Sequence, residues 1–173
     1  METFLEICKY ILPSVVTLIA VAVVLRKMLN NEEARREFEL RKQNASAITP
    51  IRLRGYERMV LFLERTQPNS LLMRQDLSQK TCFQLQKDLL NQIRSEFDHN
   101  VAQQIYVSRE AWSLVVNAKE SLLKLVNISA AKFPADEKSI RMAEFMIQTY
   151  SQTSDTPTEK AINFLRNEIK ANF

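Results

Sequence analysis

Few residues in this chain are equipped for chemistry. Among its 173 residues there is one histidine, His99, and there are two cysteines, Cys8 and Cys82. His99 stands between Asp98 and Asn100, with Glu96 just upstream. Those groups make a partial metal-ligand set, but no second His or Cys lies at ligand spacing, so the segment reads as a solvated turn and no metal is expected. Cys82 has no histidine placed by sequence to activate it and reads as a buried structural thiol. With a single glycine, Gly55, a phosphate-cradling loop is close to excluded, and the sequence contains no G-x-S-x-G, Walker A, G-x-G-x-x-G, HExxH or CxxC. Carboxylate pairs such as Asp136-Glu137 read as helix-start residues. The expectation is a protein that is not an enzyme and carries no cofactor.

Recognition is a different matter. Arg54, Arg58 and Arg65 line one side of a helical wheel, with Phe62 beyond them. Such a row reads as a solvated or headgroup-facing surface, or else as a protein docking face. Trp112, the sole tryptophan, is either a core residue that needs a partner for its indole N–H or an interface residue. Arg54, Arg58, Phe62, Arg65 and Trp112 are the candidate interaction surface.

The elements that must position these residues read as helices. One glycine and five prolines leave little turn chemistry for tight hairpins, and strand-like alternation is nowhere sustained. The expected fold is all-α: a single N-terminal transmembrane helix, a charged stalk and a bundle of about five helices. The span is Tyr10 to Leu25, sixteen residues without formal charge, including Pro13, Val16, Ile19, Val23 and Leu25. At 1.5 Å per residue it covers about 24 Å of a roughly 30 Å hydrocarbon core. Lys9, Arg26 and Lys27 would snorkel to complete it. A cleaved signal peptide and a buried core helix compete with this reading. The first lacks a positive n-region and a cleavage site, and the second conflicts with apolar residues on all faces.

Basic residues near the span set its orientation. Arg26, Lys27, Arg35 and Arg36 follow it, against Lys9 before it. This places residues 1–9 outside, the span at 10–28, a juxtamembrane helix at 29–47 and a cytoplasmic domain at 50–173 of an inner-membrane protein. Residues 26–65 carry ten basic against six acidic side chains, and residues 66–173 thirteen against twelve. The positive excess beside the span fits anionic headgroups. No basic face with base-reading groups points to nucleic acid.

Within 50–173, Ser46–Pro50 is expected to break the chain, because a residue before proline avoids the helical region. Leu53, Tyr56, Met59, Val60 and Leu63 then form a core face. Gly55 inside this helix costs about 1 kcal/mol relative to alanine, so either a neighbour approaches closely there, the favoured reading, or the helix starts at about that point. A helix over about 79–97 presents Leu85, Leu89, Leu90, Ile93 and Phe97. Residues 98–108 read as helical or extended. Ser108 caps a central apolar helix over 109–132. Asp136 is expected to cap a helix reaching Tyr150, with Ile140, Ala143, Met146 or Ile147, and Tyr150 inward. Thr156-Pro157-Thr158-Glu159 has capping-box spacing for a last helix carrying Ala161, Ile162, Leu165 and Ile169.

The run IRLRGYERMVLFLERTQP, after an apolar span and a charged helix, resembles a family of short single-pass bacterial inner-membrane proteins without assigned function. Tyr56, Glu57, Arg58, Leu61, Phe62, Leu63, Glu64 and Arg65 carry that resemblance. It implies location and transfers no activity.

The expected function is a membrane-anchored, non-enzymatic helical interaction or assembly protein. Its partners would be anionic membrane lipids and a protein or a second copy, with no nucleic acid and no small-molecule substrate. The alternative is an accessory subunit of a transmembrane transport or envelope complex, with the anchor packed on partner helices.

Overall fold

The structure is a computed structural model that describes the backbone of residues 2–172 and the side chains of residues 15–171. It is all-α. Six α-helices run in order: α1 (Glu2–Arg65), α2 (Pro68–Leu72), α3 (Cys82–Asn100), α4 (Arg109–Ala130), α5 (Ser139–Ser151) and α6 (Pro157–Asn172), with a 3₁₀ turn at Val101–Ile105 between α3 and α4. No strand occurs among the described residues. The chain divides into two units, residues 1–49 and 50–173.

In the first unit the side chains of residues 15–49 are all exposed. Its surface is laced by ion pairs one turn apart: Arg36–Glu32 at 3.6 Å, Arg35–Glu39 at 3.1 Å and Arg41–Glu37 at 3.3 Å. Such pairs support an exposed helix by a few tenths of a kcal/mol each.

The transmembrane span at 10–28 and the single-pass inner-membrane location are corrected. Among the described residues no helix is long and apolar enough to cross a membrane. In the sequence, Arg26 and Lys27 close the uncharged run Tyr10–Leu25, whose rise of about 24 Å falls short of roughly 30 Å of hydrocarbon. The anchor residues Val16, Ile19, Val23 and Leu25 are exposed side chains of α1. The side chains of Tyr10 and Pro13, expected in the span, and of Lys9, expected to flank it, lie outside the described residues. The orientation deduced from Lys9, Arg26, Lys27, Arg35 and Arg36 goes with the span, and Arg35 and Arg36 pair with glutamates of their own helix. The expected break at Ser46–Pro50 is also corrected. Helical geometry runs through it, since proline removes a single N–H from the ladder.

The second unit holds two apolar clusters. One joins Leu71 and Leu72 of α2, Leu85, Leu89 and Ile93 of α3, Leu122 and Val126 of α4, and Met142 and Met146 of α5. The other joins Tyr56, Met59, Phe62 and Leu63 of α1, Ala111, Val115 and Ala118 of α4, and Ala161, Ile162 and Leu165 of α6. Helix α4 belongs to both, because Ala111, Val115, Ala118, Leu122 and Val126 recur every three or four residues. Each fully buried Val or Leu contributes about 1.5–3 kcal/mol.

Local chemistry fixes the helix starts. The Ser108 hydroxyl accepts from the Ala111 amide at 3.0 Å. Thr81 and Gln84 form a capping box, and Thr156 and Glu159 form another: Thr156 N–H donates to Glu159 Oε2 at 3.1 Å and Glu159 N–H to Thr156 Oγ1 at 3.2 Å. The first amides of α3 find partners elsewhere, Cys82 N–H on Glu137 O at 2.8 Å and Phe83 N–H on Ala135 O at 3.1 Å. These bonds satisfy donors that a helix start leaves over. They also displace the start of α5. Asp136 does not cap it; the helix begins at Ser139, whose hydroxyl donates to Leu77 O at 2.8 Å. Consequently Met142, Ala143 and Met146 face inward, while Ile140 and Ile147 are exposed.

Candidate functional site

Gly55 sits where α1 meets the segment after the 3₁₀ turn. A Cβ added to it would lie 2.8 Å from the Cβ of Tyr106. The Arg52 Nε donates to the Tyr106 carbonyl at 3.4 Å, which ties that segment to the same helix. The Tyr56 side chain is wholly buried, and its hydroxyl lies between Arg52 and Glu168. Burial raises its pKa, the Glu168 carboxylate raises it further, and Arg52 acts in the opposite direction.

With α1 held this way, its opposite side faces the end of α3. There Arg54, Glu57, Arg58, Leu61 and Arg65 line a groove of about 440 Å³ with Glu96, His99 and Asn100. The three arginines proposed from sequence are thus brought together. Arg65 Nη1 pairs with Glu96 Oε1 at 2.9 Å. Arg54 and Arg58 make no ion pair with any described residue and are exposed. Leu61 stands beside them, 57% exposed. Asn100 is buried and donates through Nδ2 to Glu96 O at 2.8 Å, which locks the last turn of α3. The groove therefore offers two guanidiniums outside any ion pair, an exposed apolar contact and one imidazole, beside the carboxylates of Glu57 and of Glu96, the latter held by Arg65. That is the chemistry of anion recognition, since Arg forks match carboxylate geometry.

Phe62 and Trp112 do not join this surface. Phe62 is 1% exposed; its place on an exposed face is corrected, because the buried arc of α1 runs through Tyr56, Met59, Phe62 and Leu63. Trp112 is half-buried. It stacks on Phe97 with ring centroids 5.4 Å apart, and Phe97 meets Phe62 edge-on at 5.7 Å. Lys119 Nζ lies 4.3 Å from the Phe97 centroid, a cation–π contact that closes the stack. The aromatics support the groove's helix from behind.

Leu61, Glu96, His99 and Asn100 were not read as site residues from sequence. The only signal was the odd histidine at a helix end. Cys82 is buried, its Sγ 3.5 Å from Lys138 O, and burial followed by Glu137 pushes the thiol's pKa up. No group of three or more His, Cys, Asp or Glu among the described residues is arranged to hold a metal.

No curated protein and no solved structure matches the chain. A family model does, and it spans nearly every residue. Residues 2–172 match the family of unknown function DUF7935, and the chain belongs to that family.

Proposed function

We propose that this protein is a non-enzymatic helical interaction protein that docks an acidic partner segment in the arginine groove of its 50–173 unit. The observation that carries the reading is the pair of exposed guanidiniums, Arg54 and Arg58, which make no ion pair with a described residue and line the groove with exposed Leu61. Two positive charges around an apolar contact suit a peptide whose carboxylates flank a leucine or phenylalanine. Arg65, already paired with Glu96, serves as the fixed wall of the groove.

The test is fluorescence anisotropy of the full chain with a labelled Glu/Leu peptide, beside a Lys/Leu peptide of the same length. The reading predicts saturable binding of the acidic peptide that weakens with salt, as expected for exposed charges, and that is lost in Arg54→Glu/Arg58→Glu. Equal binding of both peptides, or no effect of the charge reversal, would refute it.

A second reading makes the protein a subunit of a larger assembly built from further copies of itself. It is favoured by the exposed Val16, Leu18, Ile19, Val23, Leu25, Met28 and Leu29 of α1, followed along the helix by charges that pair with one another, Glu32–Arg36, Arg35–Glu39 and Glu37–Arg41. Apolar contact is then the chemistry left for association. Light scattering of the full chain and of Ile19→Glu/Val23→Glu separates the readings: a wild-type oligomer that the substitutions dissolve supports assembly, and a wild-type monomer counts against it.

A further inference from the structure

A second concavity, away from the arginine groove, lies between α4, α5 and α6. It encloses about 410 Å³ and is lined by Ser121, Lys124, Leu125, Ile128, Tyr150 and Thr158, with Leu122 and Pro157 in its floor. This volume falls in the range of small-molecule sites, which are mostly apolar with a few placed polar groups. Lys124 is the only charged residue in the lining, and it makes no ion pair with a described residue.

The hydroxyls divide into two kinds. Thr156 Oγ1 is committed, to Glu159 Oε2 at 3.1 Å and to Tyr150 Oη at 3.3 Å. The hydroxyls of Thr158 and half-buried Ser121 make no hydrogen bond with another described residue. The loop that carries this wall is held in place. Asp155 adopts φ 60°, a left-handed conformation that Asp tolerates, and its carboxylate pairs with Lys160 at 3.3 Å. Asp155 is thereby turned to Lys160, and Glu159 to Thr156, so neither acid opposes Lys124 within the lining.

We propose that this cleft binds a small amphipathic carboxylate. The apolar body lies on Leu122, Leu125, Ile128 and Pro157. The carboxylate accepts from Lys124 at the mouth, and the free hydroxyls of Ser121 and Thr158 complete its shell. No histidine, cysteine or carboxylate lines the cleft to activate its hydroxyls, so the ligand is bound and not transformed. This extends the expectation of no small-molecule substrate to a ligand that is held without reaction.

The test is an NMR titration of the full chain with octanoate, 1-octanol and octylamine as probes. Octanoate is expected to give saturable shifts confined to residues 121–128 and 149–158, with 1-octanol and octylamine binding at least about tenfold more weakly, as a charge-assisted contact implies. Lys124→Gln should weaken octanoate about tenfold and leave 1-octanol unchanged. Thr158→Val should weaken octanoate several-fold. Ile128→Trp fills the mouth from an exposed position and should abolish binding of both. Lys124 is exposed, so its variant tests the proposal even if the tryptophan variant fails to fold. Absent or non-saturable shifts, shifts centred on the exposed apolar residues of α1, octylamine binding as well as octanoate, or indifference to Lys124→Gln would each overturn it.

Discussion

The α-carbon of Gly55 lies so close to Tyr106 that a methyl group there would come within 2.8 Å of the tyrosine Cβ. The atom it would meet is the root of a side chain, tied to its backbone, so it cannot swing aside as a flexible tip would. The lone glycine of the chain thus sits inside the C-terminal part of α1 for steric reasons, against helix propensity.

Gly55→Ala should therefore destabilise the protein by about 1–3 kcal/mol, the usual scale of overpacking, although alanine is the better helix former by about 1 kcal/mol. Urea unfolding measures it. A variant as stable as the wild type would mean that the segment after the 3₁₀ turn yields freely.

Arg54→Ala and Arg58→Ala should leave stability within about 0.5 kcal/mol of wild type, since exposed residues outside any network rarely do more. Arg65→Ala should cost slightly more, up to about 1 kcal/mol, because it strands Glu96 at the end of α3. Thermal melts of the three variants check the order. A large loss at Arg54 or Arg58 would mark them as structural and weaken the case for a docking role.

The Thr156 hydroxyl serves the α6 cap and Tyr150 at once. Thr156→Ala should cost about 1–2 kcal/mol, toward the upper range for a lost N-cap, while Thr156→Ser should recover most of it. If alanine is tolerated as well as serine in denaturant titrations, the capping box is not what starts α6.

Alkaline pH should unfold this protein in a definite window. Tyr56 and Cys82 are acids that are neutral when protonated, and burial raises the pKa of both in the folded state. The folded form holds those protons longer than the unfolded form. Their contribution is complete below the ordinary values, 9.0 for the thiol and 10.0 for the phenol, and is lost as pH rises through the higher folded values. Stability against urea should be flat across this pair's range below 9.0 and fall above it, with Tyr56→Phe flattening the upper part. In a Cys8→Ser background, the Cys82 thiol should react with a disulfide reagent only as fast as the protein opens. Immediate labelling at neutral pH would contradict its burial.

How much of this was legible beforehand depends on how local the physics is. The caps at Ser108 and Thr156 were read correctly because a hydroxyl and an amide two or three residues away decide them. Gly55 announced a close neighbour, but Tyr106 lies some fifty residues on, and nothing in either segment names the other. Phe62 falls outside the expected face because that face is centred near Tyr56, with Leu53 and Val60 at one edge, whereas the buried arc is centred near Met59. The real face is turned toward Phe62 by α4 and α6 together, and Leu53 is left exposed. The start of α5 moved from Asp136 to Ser139 when the carbonyls of Ala135 and Glu137 were taken by the amides of α3. The membrane reading leaned on the hydropathy of a short run that charge closes at Arg26. The cleft beside Thr158 needs three helices in register, which no single stretch encodes.

Helix α4 places Ala111, Val115 and Ala118 in one cluster and Leu122 and Val126 in the other. Neither half of the 50–173 unit can lose its packing while the other keeps a complete wall, so the two clusters should melt as one cooperative transition. The slowest-exchanging amides of the molecule should lie in the middle of α4, near Ala118 and Leu122, with protection that approaches the global unfolding free energy.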